Sequence, residues 1–510
     1  MRKTTFTAMG AVIGALALAL TACSGDASST SAADGDAGAL NIGEFADVTS
    51  WDPSLADIGF DGPYLSAVYD PLLAVDGDGN PTAALATDWT VSDDYLTITM
   101  NLRTGVTFSD GEVFDADAAV KSLEYLQAGT RSGEAYTNVS SFEAVDDDTI
   151  EIHLTQRDDT ILYFMGLGRS YMMAPDSIDA GTLATDPVGS GPYILDATTT
   201  VAGSEYHFTK VDDHWDAEEF PWSELSIYPI QDDTARLNAM LSGQINVSYA
   251  DQQSIDQADA NGWNVAGKVS GWVGLQFTDR TGSSFAPLGS TEVRQALNYA
   301  FDGASILDAI GSGQGVATNQ VFPSGMTGNL DDLNDLYATD IDTAKELLAE
   351  AGYADGFSVT MPMTPVFSVW QPSVEQVFSE LGITVTWDDM QYTDYQANAA
   401  TYPMFIAYLS MDSNAVANVE RQIALAQWYN PTPEIDQFAD VQAAVDAVYA
   451  ADPGDAQDQA IEDLNTLVTE LAWFDVWYQA NNTYVSTSDI EVTPVTGMMY
   501  PTLRQITTAG

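Results

Sequence analysis

Residues 69–126 place the tightest constraint on how this chain folds. Over residues 96–102, apolar Leu, Ile and Met alternate with Thr and Asn, which is the period-two pattern of a half-buried strand. Turn-forming residues at 103–111 end that strand. Asp115 stands where a helix cap is expected, because apolar residues recur at helical spacing after it. The segment therefore predicts a strand, a pair of turns and a capped helix.

Two later segments have equally regular patterns. Residues 291–301 carry apolar side chains at positions i, i+3, i+4 and i+7, which predicts a helix with one buried face. Residues 342–353 predict another helix, with Asp342 as its cap and Gly352 at its end. In one-letter code the segments read LRTGVTFSDG at 102–111, EVRQALNYAFD at 292–302 and DTAKELLAEAGY at 342–353. Together they closely resemble the signature blocks of family 5 of the bacterial extracellular solute-binding proteins, which serve ABC importers of the dipeptide, oligopeptide and nickel class.

This resemblance implies an α/β fold of the periplasmic-binding-protein type, with two lobes and a ligand cleft between them. It runs from about residue 40 to about residue 390. A chain of 510 residues is also too long for one small core. By the family's pattern, the parts are a first lobe at 39–270 plus 481–510, a subdomain inserted into it at about 57–180, and a second lobe at 271–480.

The start of the chain predicts export. Residues 1–22 have a positively charged beginning and an apolar stretch that is short for a membrane span, as in a signal peptide. Cys23, the only cysteine, ends a Leu-Thr-Ala-Cys sequence that resembles a bacterial lipobox. We therefore expect lipidation at Cys23, a lipidated tether at 23–38 and a location on the extracytoplasmic face of the cell membrane. An ordinary secretory peptide with a chance cysteine is the alternative.

The net charge and the small numbers of histidine and cysteine limit the classes of function that the chain can have. A formal charge of −60 argues against nucleic acid as a partner and against docking on an anionic lipid surface. Three histidines and one cysteine show no zinc-ligand spacing and no catalytic set, so we expect neither an enzyme nor a cofactor or metal. A secreted glycoside hydrolase that uses two of the many carboxylates stays open as an alternative, because no pair stands out.

The resemblance also indicates where a ligand is contacted. Trp51 stands where the family has the leucine of a Leu-Asp-Pro turn, and the loop after it reaches the ligand. By matching spacing, Asp57, Ile58 and Gly59 are the loop residues nearest the ligand. Aromatic side chains that would line the cleft are Trp51, Trp272, Trp370 and Tyr408.

Peptide-binding members of the family carry a charged set near residue 408. Its arginine, tryptophan and first aspartate fall here on Phe405, Tyr408 and Met411, so both charged anchors are missing. Asp412 lies one residue away and would serve if the loop is slightly shifted. An unpaired zwitterion in a cleft is costly, so these changes bear on the class of ligand.

We therefore expect a lipid-anchored substrate-binding protein of an ABC importer, which binds its ligand between two lobes and delivers it to a permease with ATPase subunits. An oligopeptide is the first expectation for the ligand, and an oligosaccharide is the alternative. A sensory or chaperone-like lipoprotein on the same fold is a further alternative.

Overall fold

The computed structural model describes residues 37–57 and 59–509. The predicted signal peptide, Cys23 and nearly all of the tether lie outside the described residues, as does Ile58. Within the described ranges, no helix combines the length and the apolar character that crossing a membrane requires.

Helices and strands alternate along the chain. The strands are β1 (Ala39–Glu44), β2 (Leu73–Val75), β3 (Pro81–Ala83), β4 (Ala86–Val91), β5 (Thr97–Leu102), β6 (Val139–Asp146), β7 (Thr149–Leu154), β8 (Tyr193–Leu195), β9 (Tyr206–Lys210), β10 (Glu224–Pro229), β11 (Val247–Tyr249), β12 (Asn264–Phe277), β13 (Gly315–Ala317), β14 (Ser358–Met363), β15 (Thr384–Asp389), β16 (Met404–Ser410), β17 (Asp475–Ser486), β18 (Ile490–Val492) and β19 (Ile506–Thr508). The α-helices are α1 (Gly62–Val68), α2 (Ala116–Ala128), α3 (Ile161–Phe164), α4 (Pro175–Ala180), α5 (Asp233–Ser242), α6 (Gln252–Asn261), α7 (Thr291–Ala300), α8 (Gly303–Ala309), α9 (Ile341–Glu350), α10 (Gln371–Glu380), α11 (Tyr392–Asn398), α12 (Ala415–Val419), α13 (Ala439–Ala450) and α14 (Asp455–Glu470).

One long sheet runs through the described molecule in the order β16-β12-β17-β11-β1-β10-β9-β8, and β13 also pairs with β17. Strand β1 is parallel to both β10 and β11. The long strands β12 and β17, of 14 and 12 residues, pair along most of their length. Beyond the irregular pairing at Ser270, β12 gains β16 as its second neighbour. These two strands therefore link the two ends of the sheet.

Two large apolar cores lie along this sheet. The first is built from residues between 40 and 247 and between 484 and 506, and the second from residues between 269 and 478. A smaller apolar cluster holds side chains from both regions, namely Val75, Tyr163, Leu167, Ala417, Val495 and Met498. We call the regions around the two large cores the first and the second lobe.

The segment at 69–126 folds as its pattern predicts. Strand β5 buries Ile98, Met100 and Leu102, while Thr99 is partly exposed and Asn101 is exposed. It lies inside a separate four-stranded sheet with the order β4-β5-β7-β6. Helix α2 follows, and the Asp115 side chain accepts a hydrogen bond from the Ala118 backbone N at 3.0 Å. The predicted strand and capped helix are both confirmed.

The two later helices are confirmed as well, with one change of cap. Helix α7 begins after Ser290 and buries the predicted apolar face. Helix α9 is capped by Asp340, whose side chain accepts from the backbone N atoms of Asp342 and Thr343. The prediction of Asp342 as the cap is wrong, because the helix begins earlier and Asp342 lies in its first turn.

The Asp115 cap offers a direct test of the local structure. Replacing Asp115 with alanine leaves the Ala118 N–H without its acceptor, so we expect a loss of about 1 kcal/mol in the free energy of unfolding, measured with urea. Asp115→Asn keeps an acceptor at the same place and should lie close to wild type. Equal losses in both variants would contradict a capping role.

Candidate functional site

The irregular pairing of β12 brings three strands close together between the lobes. The Ser270 hydroxyl donates to Asn482 Oδ1 on β17 at 3.0 Å, and it lies 3.3 Å from the Tyr408 hydroxyl on β16. A Cβ added to Gly271 would come within 2.7 Å of the Leu409 carbonyl oxygen and 3.0 Å of the Tyr408 ring. A glycine is therefore needed for β16 to approach this closely.

Both lobes carry partly exposed aromatic rings. We define the aromatic band as Phe45, Phe60, Tyr249, Trp370 and Tyr408, each of them partly exposed. In the first lobe, the Phe45 ring centroid lies 5.8 Å from that of Phe60 and 5.4 Å from that of Tyr249. These edge-on contacts favour a fixed arrangement of the rings.

Tyr408 acts on tyrosines of both lobes. Burial raises the pKa of Tyr249 in the first lobe, and Tyr408 raises it further. In the second lobe, the Trp370 indole N–H donates to the Tyr478 hydroxyl at 3.2 Å. Burial raises the pKa of Tyr478 to about 12, and Tyr408 contributes to this shift as well. Tyr408 therefore has an electrostatic interaction with an aromatic residue of each lobe.

A buried carboxyl lies beside the band. Glu44, immediately before Phe45 at the end of β1, is 1% exposed, and neither carboxyl oxygen has a hydrogen-bond partner. Burial raises the pKa of Glu44 well above its usual range, and Arg236 offsets only part of this. The carboxyl therefore keeps its proton to higher pH than an ordinary glutamate.

An ion pair follows β16 at the contact between the lobes. Asp412 is completely buried, and its Oδ1 accepts hydrogen bonds from the Tyr163 hydroxyl at 3.2 Å and from Arg421 Nη1 at 3.0 Å. The Arg421 side chain is 37% exposed, and the charge of Asp412 raises its pKa. Tyr163 lies on α3 of the first lobe, so Asp412 contacts both lobes. We call Asp412, Arg421 and Tyr163 the junction triad.

Further acidic groups lie beside the junction triad. Burial, together with the negative charges of Asp158, Asp159 and Asp412, raises the pKa of Glu420 to about 7. Asp159 also accepts a hydrogen bond from the Gln457 side chain at 2.8 Å, which is another contact between the lobes. This part of the contact therefore changes its charge near neutral pH.

The loop after Trp51 is held by its own polar groups. Asp57 Oδ2 lies 2.7 Å from Arg131 Nη1, and Asp57 Oδ1 accepts from the Gly59 backbone N at 3.0 Å. Phe60 of the same loop belongs to the aromatic band. The loop therefore contributes a ring to the band, while the charge of Asp57 is already paired.

Four of the residues expected at the ligand have buried side chains: Trp51, Trp272, Phe405 and Met411. Trp51 packs on Tyr64 in the first core. Trp272 is fully buried, and its indole N–H donates to Gln422 Oε1 at 3.0 Å. For Trp272 on β12 and Phe405 on β16, the physical reason is that both faces of these strands are covered in the second lobe, so alternation along them does not expose every second residue.

Sequence reasoning missed several residues that the structure brings to this place. Phe45 directly follows β1, Tyr249 ends β11, and Tyr163 lies far from Asp412 in the chain. Arg421 had a usable signal, since it is the only Lys or Arg between Lys345 and Arg504. A lone positive charge in so acidic a region predicts an ion pair.

A family model for the bacterial extracellular solute-binding proteins, family 5 middle region, matches residues 80–429. The chain belongs to this family. The matched range contains α2, α7, α9 and β16 of this family 5 protein, and with them Tyr408, Asp412 and Arg421.

Two similar proteins are consistent with the assignment of the chain to family 5. Heme-binding protein A of Haemophilus influenzae is 28% identical over 363 residues, which cover 62% of this chain and 63% of the relative. Glutathione-binding protein GsiB of Salmonella paratyphi A is 26% identical over 326 residues, 61% of each chain. The family 5 protein thus matches about three fifths of the length of these relatives. Both are named as binding proteins.

Solved structures establish the fold. The periplasmic binding protein DppA from Helicobacter pylori, in complex with the peptide STSA, superposes with a TM-score of 0.74 at 20% identity, covering 93% of this chain and 98% of the other. HbpA2 from Haemophilus parasuis superposes with a TM-score of 0.78 at 19% identity, covering 93% and 100%. The predicted two-lobed α/β fold of the periplasmic-binding-protein type is confirmed.

Proposed function

We propose that this family 5 protein is the substrate-binding component of an ABC importer, which captures a solute between its lobes and delivers it to a permease. Family membership supports this role. Strands β12 and β17 connect the two lobes, and their pairing is irregular at Ser270. An irregularity of this kind can serve as a hinge that lets the lobes close on a ligand. The task is binding rather than bond-making, so no catalytic residue is assigned.

We propose a short peptide as the ligand. The junction triad carries the proposal, because it offers one carboxylate and one partly exposed guanidinium at the contact between the lobes. A zwitterionic peptide presents the complementary ammonium and carboxylate groups. Asp412 and Arg421 pair with each other in this structure. If the ligand's ammonium group binds Asp412 and its carboxylate binds Arg421, neither charge is left without a partner. Two similar proteins support a peptide-like ligand: DppA is bound to the peptide STSA, and GsiB is named as a glutathione-binding protein.

An oligosaccharide is the second candidate, and the aromatic band favours it. Phe45, Tyr249 and Tyr408 present uncharged ring surfaces, on which sugar rings stack well. Asp412 is already neutralised by Arg421, so the site does not require a charged ligand.

The parts of the chain are assigned in the same way. We propose residues 39–270 plus 481–510 as the first lobe, with an insertion at about 57–180, and residues 271–480 as the second lobe. The two apolar cores support this division. We also propose that Cys23 carries a lipid that holds the protein on the extracytoplasmic face of the membrane, on the lipobox-like sequence alone.

Calorimetric titration of the soluble form, residues 24–510, tests the ligand and its site together. The ligands are di- to octapeptides and malto-, xylo- and cello-oligosaccharides. We expect peptides to bind, and we expect Tyr408→Ala to weaken that binding about 10-fold or more, since it removes the ring of the aromatic band that lies beside Ser270. Tyr402→Ala removes a tyrosine of the same lobe from outside the band and should leave the affinity unchanged.

The outcomes separate the two candidates. Binding of sugars without peptides would replace the peptide proposal with the second candidate. Equal affinity of wild type and Tyr408→Ala would overturn the aromatic band as the site, whichever ligand binds.

A further inference from the structure

The four-stranded sheet has a solvent-facing side that the proposed function does not use. Glu151 and His153 lie two residues apart on β7, so both side chains point to the same face. The antiparallel pairing with β6 sets Glu143 directly opposite Glu151. The other face of β7 carries Ile150 and Ile152, which are fully buried.

The ligating atoms of these three residues come close together. His153 Nε2 lies 3.5 Å from Glu151 Oε2 and 3.6 Å from Glu143 Oε2. One ligand atom from each residue falls within 4.8 Å of the other two. In a tetrahedral zinc site the ligand bonds are about 2.0–2.2 Å long, which sets ligand atoms ~3.4 Å apart. The observed spacing therefore fits a metal ion without any movement of the strands.

The imidazole is also held in a suitable orientation. Thr97 Oγ1, on the next strand β5, lies 3.4 Å from His153 Nδ1. A partner at Nδ1 leaves Nε2 free for a metal, which is the usual arrangement around ligating histidines. The side chains of His153, Glu151 and Glu143 are 30%, 33% and 66% exposed, so an ion and its bound water have access.

We propose that Glu143, Glu151 and His153 form a binding site for a divalent transition-metal ion of the zinc class. One imidazole and two carboxylates suit this borderline-soft ion better than Mg²⁺ or Ca²⁺, which take oxygen ligands. Water completes the coordination at the open position. The overall charge of −60 attracts cations to the surface. The site ties β6 to β7, away from the junction triad.

The proposed site departs from the expectation that the chain binds no metal. The sequence spacing of the histidines shows no zinc pattern, because the third ligand comes from a different strand. The pairing register of β6 and β7 decides whether Glu143 reaches the other two residues.

Calorimetric titration with Zn²⁺, in an excess of Mg²⁺ that occupies unspecific acidic sites, tests the proposal. We expect one ion per chain at this site, and we expect His153→Ala and Glu143→Gln each to lower the affinity about 10-fold or more. His207→Ala is the matched control, because His207 Nε2 lies 3.7 Å from Glu205 Oε2 but no third ligand among the described residues joins them. Its affinity should equal that of wild type.

A second readout guards against a change in folding. Co²⁺ bound at four-coordinate sites absorbs strongly in the visible range, and we expect this absorption in wild type and His207→Ala but not in His153→Ala. The proposal is overturned if His153→Ala binds Zn²⁺ as tightly as wild type, since the three residues then do not act as metal ligands. Circular dichroism that matches wild type shows that each variant is folded.

Discussion

Replacing Arg294 with methionine is expected to lower the free energy of unfolding by about 3–5 kcal/mol. Arg294 belongs to the signature helix α7 and is fully buried. Its guanidinium donates to the backbone carbonyls of Leu288, Leu471 and Ala472 at 2.7, 3.0 and 3.1 Å. Methionine fills much of the space but donates no hydrogen bond. Each buried carbonyl left without a partner costs about 1–3 kcal/mol.

The measurement is urea unfolding followed by fluorescence and circular dichroism. Gln295→Ala is the matched control, because this neighbour is partly exposed and carries no charge, and its amide donates to the Glu470 carbonyl at 2.9 Å. We expect the control to stay within about 1 kcal/mol of wild type. An Arg294→Met variant as stable as the control would show that the carbonyl network does not need this side chain. Ligand affinity of the folded variant should be unchanged, since none of the hydrogen-bond partners of Arg294 belongs to the aromatic band.

Asp475→Asn is expected to make the protein more stable at pH 8 than wild type, on the order of a few kcal/mol, with little difference near pH 4. Asp475, at the start of β17, is 1% exposed, and neither oxygen has a well-formed hydrogen bond. Burial raises the pKa of Asp475 from 3.8 to about 8, and the nearby Trp477 offsets part of this shift. Asparagine resembles the protonated carboxyl in shape and carries no charge at any pH.

The direction of the pH dependence follows from proton binding. Between about pH 4 and about pH 8 the folded protein keeps the Asp475 proton while the unfolded chain has lost it. Stability contributed by this group is therefore present at low pH and falls as the pH rises toward the folded pKa. The steepest fall is about 1.4 kcal/mol per pH unit. In Asp475→Asn, the free energy of unfolding lacks this contribution to its pH dependence.

Urea unfolding of wild type and variant at several pH values measures the difference. Asp446→Asn is the control, because Asp446 lies on the exposed side of α13 in the same lobe and the change removes the same formal charge. Its curve should run parallel to that of wild type. Identical slopes in wild type and Asp475→Asn would contradict a proton held by Asp475 in the folded state.

The sequence by itself determined the local structure of the three signature segments. The alternation before Leu102 fixed β5, and Asp115 fixed the start of α2. The apolar spacing around Val293 and Leu297 fixed α7. These features depend on side chains and backbone groups only a few residues apart, so a single stretch of sequence contains all the partners. Two aspartates, Asp340 and Asp342, stand near the start of α9, and either could cap the helix. The sequence pattern predicted Asp342, whereas the structure has Asp340 as the cap.

The site depended on the tertiary structure. Tyr163 and Asp412 come from different lobes, and Glu143 meets His153 only through the register of two strands. Likewise, Trp272 looked like a ligand platform but lies in the second core. Whether a residue is buried or forms an ion pair depends on which distant segments pack against it. In an acidic sequence with many aromatic residues, many side chains are equally plausible partners, so the sequence alone does not select among them. The packing of the two lobes therefore decided which residues form the site.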